Sequence, residues 1–240
     1  RPGPPAPTRR PARALTPAYL PANSPWWPRL SRVGMSGVTW QVIGSALAIT
    51  GVIVLVDAWL RLRPGRRAST VDARAKHWAV LAVWILPLLA APPIFSHDAY
   101  SYAAQGWLME NDINPYEGYP GLLPGVFADQ VAQEWRFTRT PYGPLSLQLQ
   151  HDIVRLAGFH PYWSAVMMRI PALVGVVLIG VFLPRLARRT GHDASFAAWF
   201  GVLNPLLVVD FVGGAHNDSF MMGLMVFGLW FAAPASWARI

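Results

Sequence analysis

"VTWQVIGSALAITGVIVLVDAWL" (residues 38–60) is an unbroken apolar run whose single charge, Asp57, stands close to one end. A helix rises about 1.5 Å per residue, so some 20 such residues cross the roughly 30 Å hydrocarbon core of a bilayer. Working outward, four more apolar runs follow at 78–95, 164–186, 194–212 and 219–237. The whole chain is 53% hydrophobic and 13% charged, where a soluble domain carries about a quarter charged residues. These runs predict an all-α polytopic membrane protein. Pro87 and Pro184 are expected to kink or end their helices, which membrane bundles tolerate.

The net charge of +8 does not indicate nucleic acid as a partner. The basic residues flank the apolar runs, as membrane topology requires, and the partner implied is membrane lipid. Segment 61–77 holds Arg61, Arg63, Arg66, Arg67, Arg74 and Lys76; Arg185, Arg188 and Arg189 lie at the end of the third run, and Arg239 follows the fifth. With alternating spans all three places fall on one side, which the positive-inside rule makes cytoplasmic. Segment 96–163 then lies outside, together with the 213–218 turn, "GGAHND". Seven of the chain's twelve acids fall within 96–163. Absence of cysteine excludes disulfides and thiolate chemistry.

Residues 1–37 are rich in proline and arginine and are expected to be disordered or an external segment. Trp26 and Trp27 suit the lipid interface. Arg1 at the start and a helical run near Ile240 read as a piece of a longer chain, and one further span upstream would reconcile the basic start with the topology.

The external segment predicts two short helices, near 99–111 and 144–157, joined by the turn-rich "INPYEGYPGLLPGVF" (113–127). The second opens on proline. Its leucines, with Ile153 and Val154, suit a membrane surface.

"SHD" (96–98) puts His97 and Asp98 at the rim of the second run. Asp98 is either a positioned base for a hydroxyl or a cap for the following helix. His97 can hold an anionic leaving group, orient Asp98 or simply sit at the interface. His216, Asn217 and Asp218 form a second polar cluster on the same expected face, or a turn that caps the fifth run. Gly213 and Gly214 permit a tight turn or close substrate approach, and Asp210 is a weaker candidate nearby. Arg136, Arg139 and Arg169 suit phosphate oxygens or lipid headgroups. Tyr100, Tyr102, Tyr116, Tyr119, Trp135 and Tyr142 suit sugar rings or an interfacial belt. His97, Asp98, His216 and Asp218 could converge on a divalent metal, but no ligand spacing indicates one.

The order of "FSHDAYSYAAQG" (95–106), "NPY" (114–116), "RTPYGPL" (139–145) and "NPLLVVDFVGGAHNDSFMMGL" (204–224) resembles the actinobacterial polyprenol-phosphate-mannose-dependent α-1,6-mannosyltransferases. The resemblance covers about residues 35–235. It implies a fragment of the C-type integral-membrane glycosyltransferase fold, set in the plasma membrane with its site on the external face. It also implies inverting transfer of mannose from polyprenyl-phosphate-mannose to a mannan acceptor in lipomannan and lipoarabinomannan synthesis. Asp98 would be the general base. His97, Tyr100, Arg136, Arg139, Tyr142, His216, Asn217 and Asp218 are then candidates for substrate and phosphate binding. No cofactor is implied beyond the lipid-linked donor. Two other readings are a transporter or flippase of a lipid-linked sugar or other solute, and a non-catalytic partner of another transferase.

Overall fold

A computed structural model describes residues 21, 23–35, 38–65 and 70–233. The described residues are helical, with no strand. A short helix α1 (Trp27–Arg32) precedes α2 (Val38–Arg61) and α3 (Thr70–Ala90). Segment 96–163 holds α4 (Asp98–Glu110), α5 (Val126–Asp129) and α6 (Pro144–Leu156). Helices α7 (Pro161–Met167) and α8 (Arg169–Arg189) form one long apolar rod. The one-turn helix α9 (Ala194–Ala197) leads into two π-helical stretches, Ala198–Val202 and Leu207–Gly213, and α10 (Asp218–Ala232) completes the described chain.

Two helices, Val38–Arg61 and Pro161–Arg189, are long and apolar enough to cross a membrane. The expected spans differ from the structure at several points. Helix α3 stops at Ala90, short of residue 95, because Pro92 and Pro93 follow at once. The expected loop 61–77 is helical from Thr70, and residues 66–69 lie outside the described residues. The run 194–212 is not one rod: its two halves meet at 50°. Pro205 lacks an amide donor, and the Asn204 side chain accepts from the Leu206 N–H at 2.9 Å to start the second half afresh. Pro87 and Pro184 instead sit inside continuous helices. The connection expected to run to residue 163 gives way to helix at Pro161. Helix α10 is described to Ala232, and residues 1–20 and 234–240 lie outside the described residues.

Two buried clusters organise the molecule. The outer one packs α4 on α6 and α7 through Ala99, Tyr102, Ala103, Val154, Ala165 and Met168. Ile153 and Val154 of α6 therefore point into this core rather than onto a membrane surface, and Leu147 is buried too, while Leu145 and Leu156 are exposed. The helix pair can close because residue 106 has no side chain: a Cβ there would lie 2.5 Å from the Gln150 carbonyl oxygen. The second cluster sets α3 and α8 against the broken segment through Leu81, Ile85, Val176, Ile179, Leu203 and Val208. Helices α8 and α10 cross at Gly175 and Gly223, with the Gly223 Cβ position 2.7 Å from the Gly175 carbonyl. Close approach of small residues is how apolar helices associate where lipid tails remove the hydrophobic drive.

Helix α2 buries no side chain of its own. Its lower end is tied to the bundle by a reciprocal pair: Trp59 donates to the Trp199 carbonyl at 3.0 Å, and Trp199 to the Trp59 carbonyl at 2.7 Å. Their rings stack with centroids 4.5 Å apart, and the Arg63 guanidinium lies over Trp199. Arg189 donates to the Trp230 carbonyl at the far end of α8. The basic ends of α2 and α8 thus share one end of the bundle. Arg169 marks the other, about 30 Å away along α8 at helical rise.

Candidate functional site

Residues 91–97 leave α3 as an extended strap that meets the end of the second π-helical stretch. The Ile94 N–H donates to the Gly213 carbonyl at 3.1 Å. Beyond that bond the chain reverses through Phe95 at φ 62°, and across from it Ala215 stands at φ 56°. Neither residue is glycine, and left-handed backbone at such residues is costly and concentrates at functional sites. The two reversals throw "SHD" and "HND" towards each other.

They meet at His216. Its Nδ1 lies 3.5 Å from an Asp98 carboxylate oxygen and 3.9 Å from one of Asp218; its Nε2 lies 3.5 Å from Asp210. One imidazole stands among three carboxylates. The ring is largely enclosed, and Asp98 keeps 30% of its side chain exposed. Asp98 is therefore open to an incoming group while held by a neighbour that can donate or accept a proton. Gly214 makes room for the ring: a Cβ would stand 2.6 Å from the His216 imidazole carbon and 2.7 Å from the Asp210 carbonyl.

Asp98 does not stand at the cap position of α4. His97 occupies the cap position of α4 without a side-chain cap bond. The Asp98 amide donates to the Ser96 hydroxyl at 3.0 Å, and its carboxylate faces His216. Asn217 stands at the cap position of α10, again without a side-chain cap bond.

Aromatic residues wall the cluster. The Tyr102 and Tyr142 rings meet edge to face at 5.2 Å. Burial pushes the Tyr102 hydroxyl well above the usual phenol value, and the adjoining Tyr142 adds to it. Burial also raises Tyr142, against the influence of the neighbouring Tyr102 hydroxyl; the Asp98 and Asp218 carboxylates add to the rise. Both phenols stay protonated donors at neutral pH. "RTPYGPL" is delivered here by Thr140, whose hydroxyl donates to Gln105 of α4 at 3.1 Å and accepts from the Tyr142 amide at 3.2 Å. Burial lowers the His97 pKa below its ordinary value, with Glu134 and Asp98 pulling it back up.

The other expected residues fall elsewhere. Tyr100 is 1% exposed, its ring edge-on to His97 and inside the outer core. Arg136 is engaged with Asp129 at 2.8 Å, and Arg139 is exposed. Arg169 is 3% exposed, too deep for a headgroup. Its Nε donates to the Val212 carbonyl at 2.9 Å and one terminal nitrogen to the Gly213 carbonyl at 3.1 Å. Among the described residues no group of histidine and acidic side chains is arranged to hold a metal ion. Asp210 earns more weight than its sequence position suggested. Glu134, beside His97, had no sequence signal, and the Gln105–Thr140 bond was readable only as two polar residues inside recurring motifs.

Such a molecule is an all-helical membrane protein with a carboxylate–imidazole site at one rim of its long helices. The chain belongs to the family described as alpha-(1->6)-mannopyranosyltransferase, N-terminal domain, whose model matches residues 12–239. It is 36% identical over 189 residues to alpha-(1->6)-mannopyranosyltransferase A of Mycobacterium tuberculosis, covering 78% of this chain and 36% of that one. A second alpha-(1->6)-mannopyranosyltransferase of the same organism is 40% identical over 195 residues, covering 80% of this chain and 33% of the relative. For alpha-(1->6)-mannopyranosyltransferase A of Corynebacterium glutamicum the identity is 33% over 198 residues, covering 79% and 40% respectively. The chain thus spans between a third and two fifths of the length of these relatives. No solved structure matches it.

Proposed function

We propose that this chain supplies the acceptor-activating site of a multi-pass plasma-membrane mannosyltransferase. The transfer runs from polyprenyl-phosphate-mannose to a hydroxyl of a mannan acceptor, with inversion to an α-1,6 linkage, in lipomannan synthesis. The observation that carries the reading is the meeting of Asp98 and His216 at 3.5 Å from segments far apart in sequence. Asp98 takes the acceptor proton as the hydroxyl oxygen attacks the anomeric carbon. The bond from that carbon to the phosphate oxygen breaks, and polyprenyl phosphate leaves with the electron pair. His216 holds the carboxylate in place, and Tyr102 and Tyr142 offer hydroxyls to the sugars. Relatives named as α-1,6-mannosyltransferases support the sugar and the linkage. Support for an external site comes from the opposite placement of the basic ends of α2 and α8.

The test is Asp98→Asn in the whole membrane-inserted protein, with labelled polyprenyl-phosphate-mannose and short mannan acceptors. Loss of a positioned base lowers turnover by about 10²–10⁴ with insertion intact. Wild-type turnover would sink the assignment. The 50° break at 203–206 favours a second reading, movement of a lipid-linked sugar, because transporters build sites on broken helices. Sugar translocation without glycosyl product in reconstituted vesicles would select it.

A further inference from the structure

We infer that Arg169 is a positioning residue for the Asp98–His216 pair, an inference that rests on the reading just given. Three observations carry it. First, the guanidinium is buried and points not at an acid but at two successive backbone carbonyls, Val212 and Gly213. A buried cation is expensive, and only the planar fork of arginine binds two such acceptors in a fixed geometry. Second, the Gly213 carbonyl is shared: it also accepts from Ile94, four residues before Asp98. One oxygen therefore ties together α8, the strap that leads to Asp98 and the turn that leads to His216.

Third, the same face of α8 holds the other side of the turn. The Ser219 hydroxyl donates to the Ala172 carbonyl at 2.7 Å, three residues along α8 from Arg169. The left-handed Ala215 lies between these two anchors. Fixed at both ends, the turn has little freedom to relax, and His216 stays within reach of Asp98. Arg169 touches neither carboxylate nor imidazole in this arrangement; it acts through the backbone.

The experiment compares wild-type, Arg169→Lys, His216→Ala and the double variant in the whole membrane protein, with Asp98→Asn run beside them. Lysine keeps the charge but carries its donors on a single rotatable nitrogen, without the planar fork that fixes both carbonyls. For Arg169→Lys the expected result is a fall in kcat of about 100-fold, the cost of an ångström-scale misplacement, with KM for the lipid-linked donor unchanged. In the His216→Ala background the same replacement should cost little more, because the imidazole through which the anchored turn holds Asp98 is already gone. Equal losses in both backgrounds, an unchanged kcat, or a raised KM at constant kcat would each overturn the inference. Should the lysine variant not accumulate, Arg169→Gln, neutral and able to reach one carbonyl, is measured with the same expectations. Activity that survives Asp98→Asn indicts the catalytic reading. A dead Asp98→Asn beside a fully active Arg169→Lys indicts the positioning role alone.

Discussion

Gly175→Ala is a severe local test of the α8–α10 crossing. A Cβ at residue 175 would stand 2.1 Å from the Ser219 carbonyl oxygen, 2.3 Å from its carbon and 2.6 Å from the Phe220 nitrogen. All three are backbone atoms, so no side chain can swing aside. Restoring ordinary contact at about 3.4 Å requires the helices to part by about 1.3 Å. Overpacking of this kind costs about 1–3 kcal/mol, against a gain of up to about 1 kcal/mol for alanine over glycine in a helix. The first turn of α10 takes up the displacement, and His216 stands three residues before Ser219. A catalytic group moved by about an ångström loses about 100-fold in rate. Two measurements are needed: the thermal midpoint of the purified protein in detergent, and mannosyl transfer in membranes. Gly228→Ala is the control, since open space surrounds that position later in α10; it should match or exceed wild type in both. A Gly175→Ala protein with wild-type midpoint and turnover would refute the claim that this crossing fixes the site.

Two further outcomes follow from the geometry. His97 has a pKa depressed by burial, so it stays neutral in the fold while its unfolded counterpart protonates near pH 6.5. The associated stability is complete above that pH and lost as pH falls from there through the lower folded value. His97→Asn should therefore flatten the fall of the thermal midpoint below about pH 6.5, and an unchanged slope would show that His97 is not its source. Trp199→Phe removes a hydrogen bond to the Trp59 carbonyl and part of a stacked pair, costing about 1–2 kcal/mol. A lowered midpoint with unaltered donor KM is the expected reading, and an unchanged midpoint would mean that the tryptophan pair contributes nothing.

Much of the architecture was open to reading from residue type alone, and the failures have definite physical causes. Helix α2 is set by apolar content, with no need for a partner. The meeting of "SHD" with "GGAHND" was foreseeable because alternation of spans puts both on one face. The break at 203–206 carried a local signal, Asn204–Pro205, masked by the uniformly apolar residues on both sides. Proline is decisive there, whereas Pro87 and Pro184 sit inside continuous helices. Amphipathic spacing marked α6 without telling whether its apolar face met lipid or, as it does, α4. Arg169 was the hardest to place: its partners are carbonyl oxygens, which every residue possesses and no sequence distinguishes.

The π-helical stretch Leu207–Gly213 has a consequence for how the site tolerates changes in chain length. A π turn accommodates one residue more than an α turn, as though a single residue had been inserted into an ordinary helix. Asp210 lies within that stretch, 3.5 Å from His216. Deleting one residue within the stretch would let it wind as a plain α-helix with the flanking chain still in phase, whereas the same deletion in a plain α-helix would turn everything beyond it by about 100°. Asp210, inside the wide turn, is the member of the cluster whose direction such a rewinding would change. The wide turn thus lets a change of length be taken up at Asp210 while the turn that carries His216 keeps its phase.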